Sequence, residues 1–74
     1  MDIHNLVRMA NRIGEFFAAM PDRQDAIDGV AQHLRRYWEP RMRRAMLEHV
    51  DSDGPAGLHP LLADALARKR ADLL

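Results

Sequence analysis

The chain has 74 residues, no cysteine, and equal numbers of basic and acidic side chains, 11 of each, with 47% of its residues hydrophobic. A chain of this length supports one modest core, because it buries only about 60% of its unfolded surface, and the missing thiols exclude disulfides, cysteine-ligated zinc and thiol nucleophiles. Zero net charge leaves no overall field to attract nucleic acid or a membrane surface, so any electrostatic preference must come from a local patch.

From Asp2 to about Met20 the residues Ile3, Leu6, Val7, Ala10, Ile13, Phe17 and Met20 recur at steps of three and four, which predicts a first helix with Asp2 as its N-cap. Asp2, Arg8 and Arg12 interrupt this stretch and no small-residue cleavage site follows, which argues against a signal peptide. No apolar run approaches membrane-spanning length. Met9 and Phe16 fall to one side of the stripe, so the apolar arc is wide and needs more than one packing partner. Gly14 lies within the stripe, where a missing side chain lets another helix approach closely, which suggests a tight internal crossing.

Pro21 is expected to end this helix and Asp22 to cap the next, with Asp25 and Asp28 placing negative charge near its positive end. The two helices should form a hairpin. In the second, Ile27, Val30, Ala31, Leu34 and Trp38 make one stripe, with Tyr37 at its edge and Arg36 almost opposite. Pro40 disfavours helical geometry at Glu39 and suits a first helical turn, so a break at Trp38–Glu39 is expected, with a continuous Pro-kinked helix as the alternative. In the third segment Met42, Ala45, Met46 and Val50 share a side, Arg41 and Arg44 lie far from it, and Arg43 flanks it.

The stretch from Asp51 to Gly57 is rich in Asp, Gly and Pro and has no periodicity, which marks a linker. Beyond it Leu58, Leu61, Leu62, Ala65 and Leu66 form a last apolar face, and Arg68, Lys69 and Arg70 suit a helix C-terminus. The expected organisation is a helical core over 1–50, a linker over 51–57 and a C-terminal helix over 58–74 that docks on the core or on a partner. With no alternating strand pattern and no repeat, the fold class is all-α, a small bundle of three to four short helices.

Catalytic chemistry finds little support. Ser52 is the only serine, threonine is absent, and the single lysine, Lys69, sits in the tail. The histidines His4, His33, His49 and His59 are scattered without a four-residue helical pair, so no metal site is expected. The run DSDG at 51–54 resembles the start of a calcium loop, but Leu62 stands where the twelfth-position acid belongs, and a turn is the better reading. The methionines at 9, 20, 42 and 46 read as adaptable core filler, with the off-stripe Met9 the exception, as Phe16 is among the aromatics.

One stretch stands apart. RRYWEPRMRR, residues 35–44, holds five arginines together with the only Trp and the only Tyr. Three readings fit: a solvated face whose arginine stems cover apolar neighbours, a nucleic-acid footprint, and a protein interface. Trp, Tyr and Arg are the types enriched in binding hot spots, which favours the interface over nucleic acid but leaves it level with the solvated face. A small chain with no staples and a wide apolar arc also has little stability to spare alone.

The ordered blocks LVRMANRIGEFFAAMPD (6–22), VAQHLRRYWEPRMRR (30–44) and GLHPLLADAL (57–66) resemble the delta subunit of cytoplasmic, NAD-dependent, molybdenum-containing formate dehydrogenases. Tyr37 stands where that family usually carries Phe before the Trp. The resemblance implies a cytoplasmic, non-catalytic subunit with no cofactor of its own, which binds the large catalytic subunit and supports stability or maturation of the complex. Other subunits would carry formate oxidation and NAD reduction. The absence of cysteine agrees, since iron–sulfur clusters are ordinarily held by thiolates. The partner-binding residues expected on this reading are Arg35, Arg36, Tyr37, Trp38, Arg41, Arg43 and Arg44, with Met9 and Phe16 beside them. Nucleic acid and membrane are not expected partners. A helical nucleic-acid-binding module using Arg35–Arg44 is the alternative, and transient retention of cofactor phosphates by the arginines during maturation is a third reading.

Overall fold

Two aspartates open the first two helices of the computed structural model, which describes residues 2–74. The Asp2 carboxylate accepts from the His4 amide at 2.9 Å and the Asp22 carboxylate from the Asp25 amide at 2.9 Å, so each satisfies a donor that the first helical turn leaves unpaired. The helices are α1 (Ile3–Phe17), α2 (Arg23–Tyr37), α3 (Pro40–Asp53), α4 (Pro60–Arg68) and a last turn, α5 (Arg70–Leu73). No strand occurs among the described residues.

The first helix stops at Phe17, short of the expected Met20. Its end tightens into three-residue turns, the Ala19 amide donating to the Phe16 carbonyl at 3.5 Å and the Met20 amide to the Phe17 carbonyl at 3.0 Å. Pro21 biases Met20 away from helical geometry, so the chain turns there and Met20 is exposed instead of joining the stripe.

The second helix is the hub, packing against each of the other four. Its stripe of Ile27, Val30, Ala31, Leu34 and Trp38 is buried as the spacing requires, and Ala26 joins it. The apolar faces of α1 and α4 close over that stripe, with Leu6, Ala10, Leu61, Leu62, Ala65 and Leu66 in one continuous core. Met46 and Leu47 bring α3 to the same core, while Met42, Ala45 and Val50 pack at its edge. Leu47, not part of the expected α3 face, is buried because α3 meets both α1 and α5 and so uses a wider arc.

The break at Trp38–Glu39 divides two helices; the Pro-kinked continuous helix does not form. Trp38 (ψ 136°) and Glu39 (ψ 151°) are extended and Pro40 opens α3. The third helix then continues through Asp51, Ser52 and Asp53 before Gly54, at φ +79°, ends it. That φ is one only glycine adopts without strain.

Residues 58–74 pack into the bundle. The Asn11 side chain, on α1, donates to the Gly57 carbonyl at 2.9 Å and accepts from the His59 amide at 2.8 Å, tying the loop down. His59 caps α4 by accepting from the Leu61 amide at 3.1 Å, and its side chain fills the space over Gly14, where an added Cβ would come within 3.1 Å of the His59 Cβ. The close approach expected at Gly14 is thus made by a side chain that caps α4. Three ion pairs join the C-terminal part to α2 and α3: Arg23–Asp64 at 2.7 Å, Lys69–Asp28 at 2.9 Å and Arg70–Asp51 at 2.7 Å. Leu73 plugs into the core at 1% exposure.

Arg43 connects these parts. Its Nη1 donates to the carbonyls of Trp38 at 2.7 Å and Arg35 at 3.1 Å, and its Nε to that of Leu73 at 3.1 Å. One guanidinium therefore serves the carbonyl ends of α2 and α5 together. Arg35 adds a bond from Nη1 to the Asp72 carbonyl at 2.6 Å.

Truncating this corner should be costly. Trp38→Ala is expected to lose about 3–5 kcal/mol, the range for a buried aromatic, and Arg43→Ala about 1–3 kcal/mol, the range for charge-assisted hydrogen bonds left unmade. Arg43→Lys should rescue the latter only in part, because an ammonium cannot reproduce the planar fork. Urea unfolding followed by circular dichroism measures all three.

Acid should loosen the C-terminal helices first. The Lys69 ammonium holds the Asp28 carboxyl below its ordinary range, and the Arg23 guanidinium does the same for Asp64. Folded values below the unfolded ones mean that both groups add stability above about pH 4, and that this contribution is lost as pH falls through the folded values. Amide exchange in α4 and α5 should accelerate relative to α1 on acidification below about pH 4. The double variant Asp28→Asn plus Asp64→Asn should remove most of that difference.

Candidate partner-binding surface

The surface starts from where α1 ends. Met9 and Phe16, seven residues apart, project from the same side of α1 and are 44% and 74% exposed. Next to Phe16 the ring of Phe17 lies half-buried on α2, directly over Gly29, where an added Cβ would sit 2.5 Å from the ring. Glycine at 29 is what lets that ring come so close to the helix.

From Phe17 an aromatic row runs along α2. Phe16 meets Phe17 edge-on at 5.1 Å between centroids, Phe17 meets His33 at 6.1 Å, and His33 meets Tyr37 at 4.8 Å. His33 and Tyr37 are four residues apart and so adjoin on one helix face. Tyr37 is 66% exposed at the far end. Phe17, Gly29, Gln32, His33, Arg35, Arg36 and Tyr37 line an open depression beside this row.

The five arginines of RRYWEPRMRR separate by role. Arg43 is half-buried on three carbonyls, and Arg35 is exposed but fastened to Asp72. Arg36, Arg41 and Arg44 are exposed and make no side-chain hydrogen bond or ion pair among the described residues. Arg41 and Arg44, three apart, share a face of α3. Trp38, at 5% exposure, lies beneath the surface as a core residue. Of the nine residues expected at an interface, Met9, Phe16, Arg36, Tyr37, Arg41 and Arg44 present free surface. Trp38 and Arg43 hold the scaffold behind it, and Arg35, though exposed, has its guanidinium bonded to the Asp72 carbonyl.

Phe17, Gly29 and His33 belong to this surface as well, and the sequence reading did not place them there. Phe17 fell within the core stripe, and it does pack on the core with one side of its ring. The four-residue spacing of His33 and Tyr37 on a helix was the signal for their pairing.

The arrangement suits binding through aromatic faces and guanidinium groups, which take up apolar side chains and carboxylates. Ser52 is exposed and makes no hydrogen bond to His49 among the described residues, while His49 pairs with Asp53 at 3.4 Å. Among the described residues no group of three His, Asp or Glu side chains gathers as a metal site, and no helix is long and apolar enough to cross a membrane.

No curated protein and no solved structure matches this chain. The family model described as NADH-dependent formate dehydrogenase delta subunit matches residues 5–66, which span most of α1, the aromatic row, the arginine corner and most of α4. The chain therefore belongs to the formate dehydrogenase delta subunit family.

Proposed function

We propose that the chain is a cytoplasmic, non-catalytic subunit that binds the large catalytic subunit of a molybdenum-containing, NAD-dependent formate dehydrogenase and supports the stability or maturation of that complex. Formate oxidation and NAD reduction belong to the other subunits. A chain without cysteine cannot supply the thiolates that ordinarily hold iron–sulfur clusters.

The observation that carries this reading is a set of binding-type side chains left unused by a fold whose core is already closed. Phe16 and Tyr37 stay exposed, at 74% and 66%, as do Arg36, Arg41 and Arg44, although buried positions were available to other large side chains. Aromatic rings and arginines are the residue types that anchor protein interfaces. The chain's 11 basic and 11 acidic groups give no overall attraction for phosphate, so the local excess favours carboxylates on a protein surface.

Co-purification with the large catalytic subunit tests the docking. The double variant Arg41→Glu plus Arg44→Glu should lower capture by on the order of tenfold or more, given what reversing interfacial charges costs. Its circular dichroism should match wild type, since neither side chain bonds within the fold. Undiminished capture by the double variant would show that α3 does not face the partner.

A further inference from the structure

Within that docking surface, the depression on α2 has a chemistry of its own. Gln32, His33, Arg36 and Tyr37 stand three, four, seven and eight residues along from Gly29 and so share with it one outward-facing stripe of the helix. The ring of Phe17 closes the stripe at the Gly29 end and Tyr37 rises at the other, with His33 between them. Glycine makes room for the Phe17 ring: any side chain at 29 would contend with it for the same space.

Charge in the depression has one sign. Arg35 and Arg36 line it and no acid does. Asp28, the acid beside Gly29 in sequence, faces the neighbouring hollow and is paired with Lys69 at 2.9 Å. Arg35 is fastened to the Asp72 carbonyl, so Arg36 is the cation free to meet a ligand.

We infer that this depression seats an acidic segment of the partner subunit, with a bulky apolar side chain laid against the row of Phe17, His33 and Tyr37 rings and an adjacent carboxylate on Arg36. The inference rests on the proposed docking to the catalytic subunit and adds the chemistry of the occupant. Three-point recognition of this kind uses each free group: the aromatic faces take the apolar side chain, the guanidinium takes the carboxylate, and Gln32 can bond to main chain. A second copy of this chain is a poor occupant, because a two-fold contact through the depression would set Arg35 and Arg36 against their own copies.

Two variants made in the co-expressed complex test it. Gln32→p-benzoylphenylalanine places a photoreactive group in the depression, and Glu48→p-benzoylphenylalanine places one on an exposed site of α3 as a control. Irradiation and mass spectrometry should show the position-32 group linked to a segment of the large subunit that carries an apolar residue flanked by Asp or Glu. Arg36→Glu should lower retention of the large subunit by on the order of tenfold, and reversing the flanking acid of the linked segment to Arg should restore it. Linkage to a basic segment, to a second copy of this chain or to nucleic acid overturns the inference, as does full retention by Arg36→Glu. Those results leave docking itself standing, whereas failure of the wild-type chain to co-purify with the large subunit removes the docking reading.

Discussion

Where α2 stops at Tyr37 its last carbonyls lose their helical partners, and the guanidinium of Arg43 replaces them. The stop itself follows from Pro40, which keeps Glu39 extended and starts α3 in a new direction. A reversal of this kind in a bundle of short helices leaves polar main chain at a corner where the core residue Trp38 must also be buried. A lysine could neutralise such a corner but could not bond three carbonyls in a fixed plane, which is what a guanidinium does. Because the third carbonyl belongs to Leu73, the corner also fixes the last turn of the chain, and Leu73 then fills the core beside Trp38.

That arrangement decides which arginines remain for other work. Arg35 points to α5 and Arg43 into the corner, so the positive charge facing outward comes from Arg36 on α2 and from Arg41 and Arg44 on α3. The exposed rings lie on the same helices α1 and α2 that make the hub of the core. An interface built on such elements starts from rigid backbone, and association then costs little beyond the ordering of the side chains themselves.

Most of the fold was legible because its signals are local. Asp2 and Asp22 cap by short-range geometry, Pro21 and Pro40 punctuate whatever surrounds them, and the apolar stripes of α1, α2 and α4 follow helical period. What escaped the sequence depends on distance along the chain. Nothing local to Asn11 indicates that its amide grips a loop 46 residues away, or that Lys69 and Arg70, plausible as helix-end charges, reach α2 and α3. The arginine stretch shows the same limit: five like residues in ten look equivalent until the carbonyls of Asp72 and Leu73 arrive from the far end of the chain.

The exposed rings then raise a physical question, since Phe16 and Tyr37 gain nothing by facing water while the core has places for large side chains. A chain of 74 residues has too small a core to absorb many errors of packing, and it has no disulfide to compensate. It closes that core instead with aliphatic residues from all five helices, Trp38 being the one aromatic fully inside. Phe17 is the intermediate case, half-buried against the core and at the same time part of the aromatic row. Gly29 makes that position possible, and it does so at a cost of about 1 kcal/mol in helix propensity relative to alanine. The packing of the Phe17 ring on α2 offsets that cost within the fold itself, and the part of the ring that stays accessible continues the exposed aromatic row.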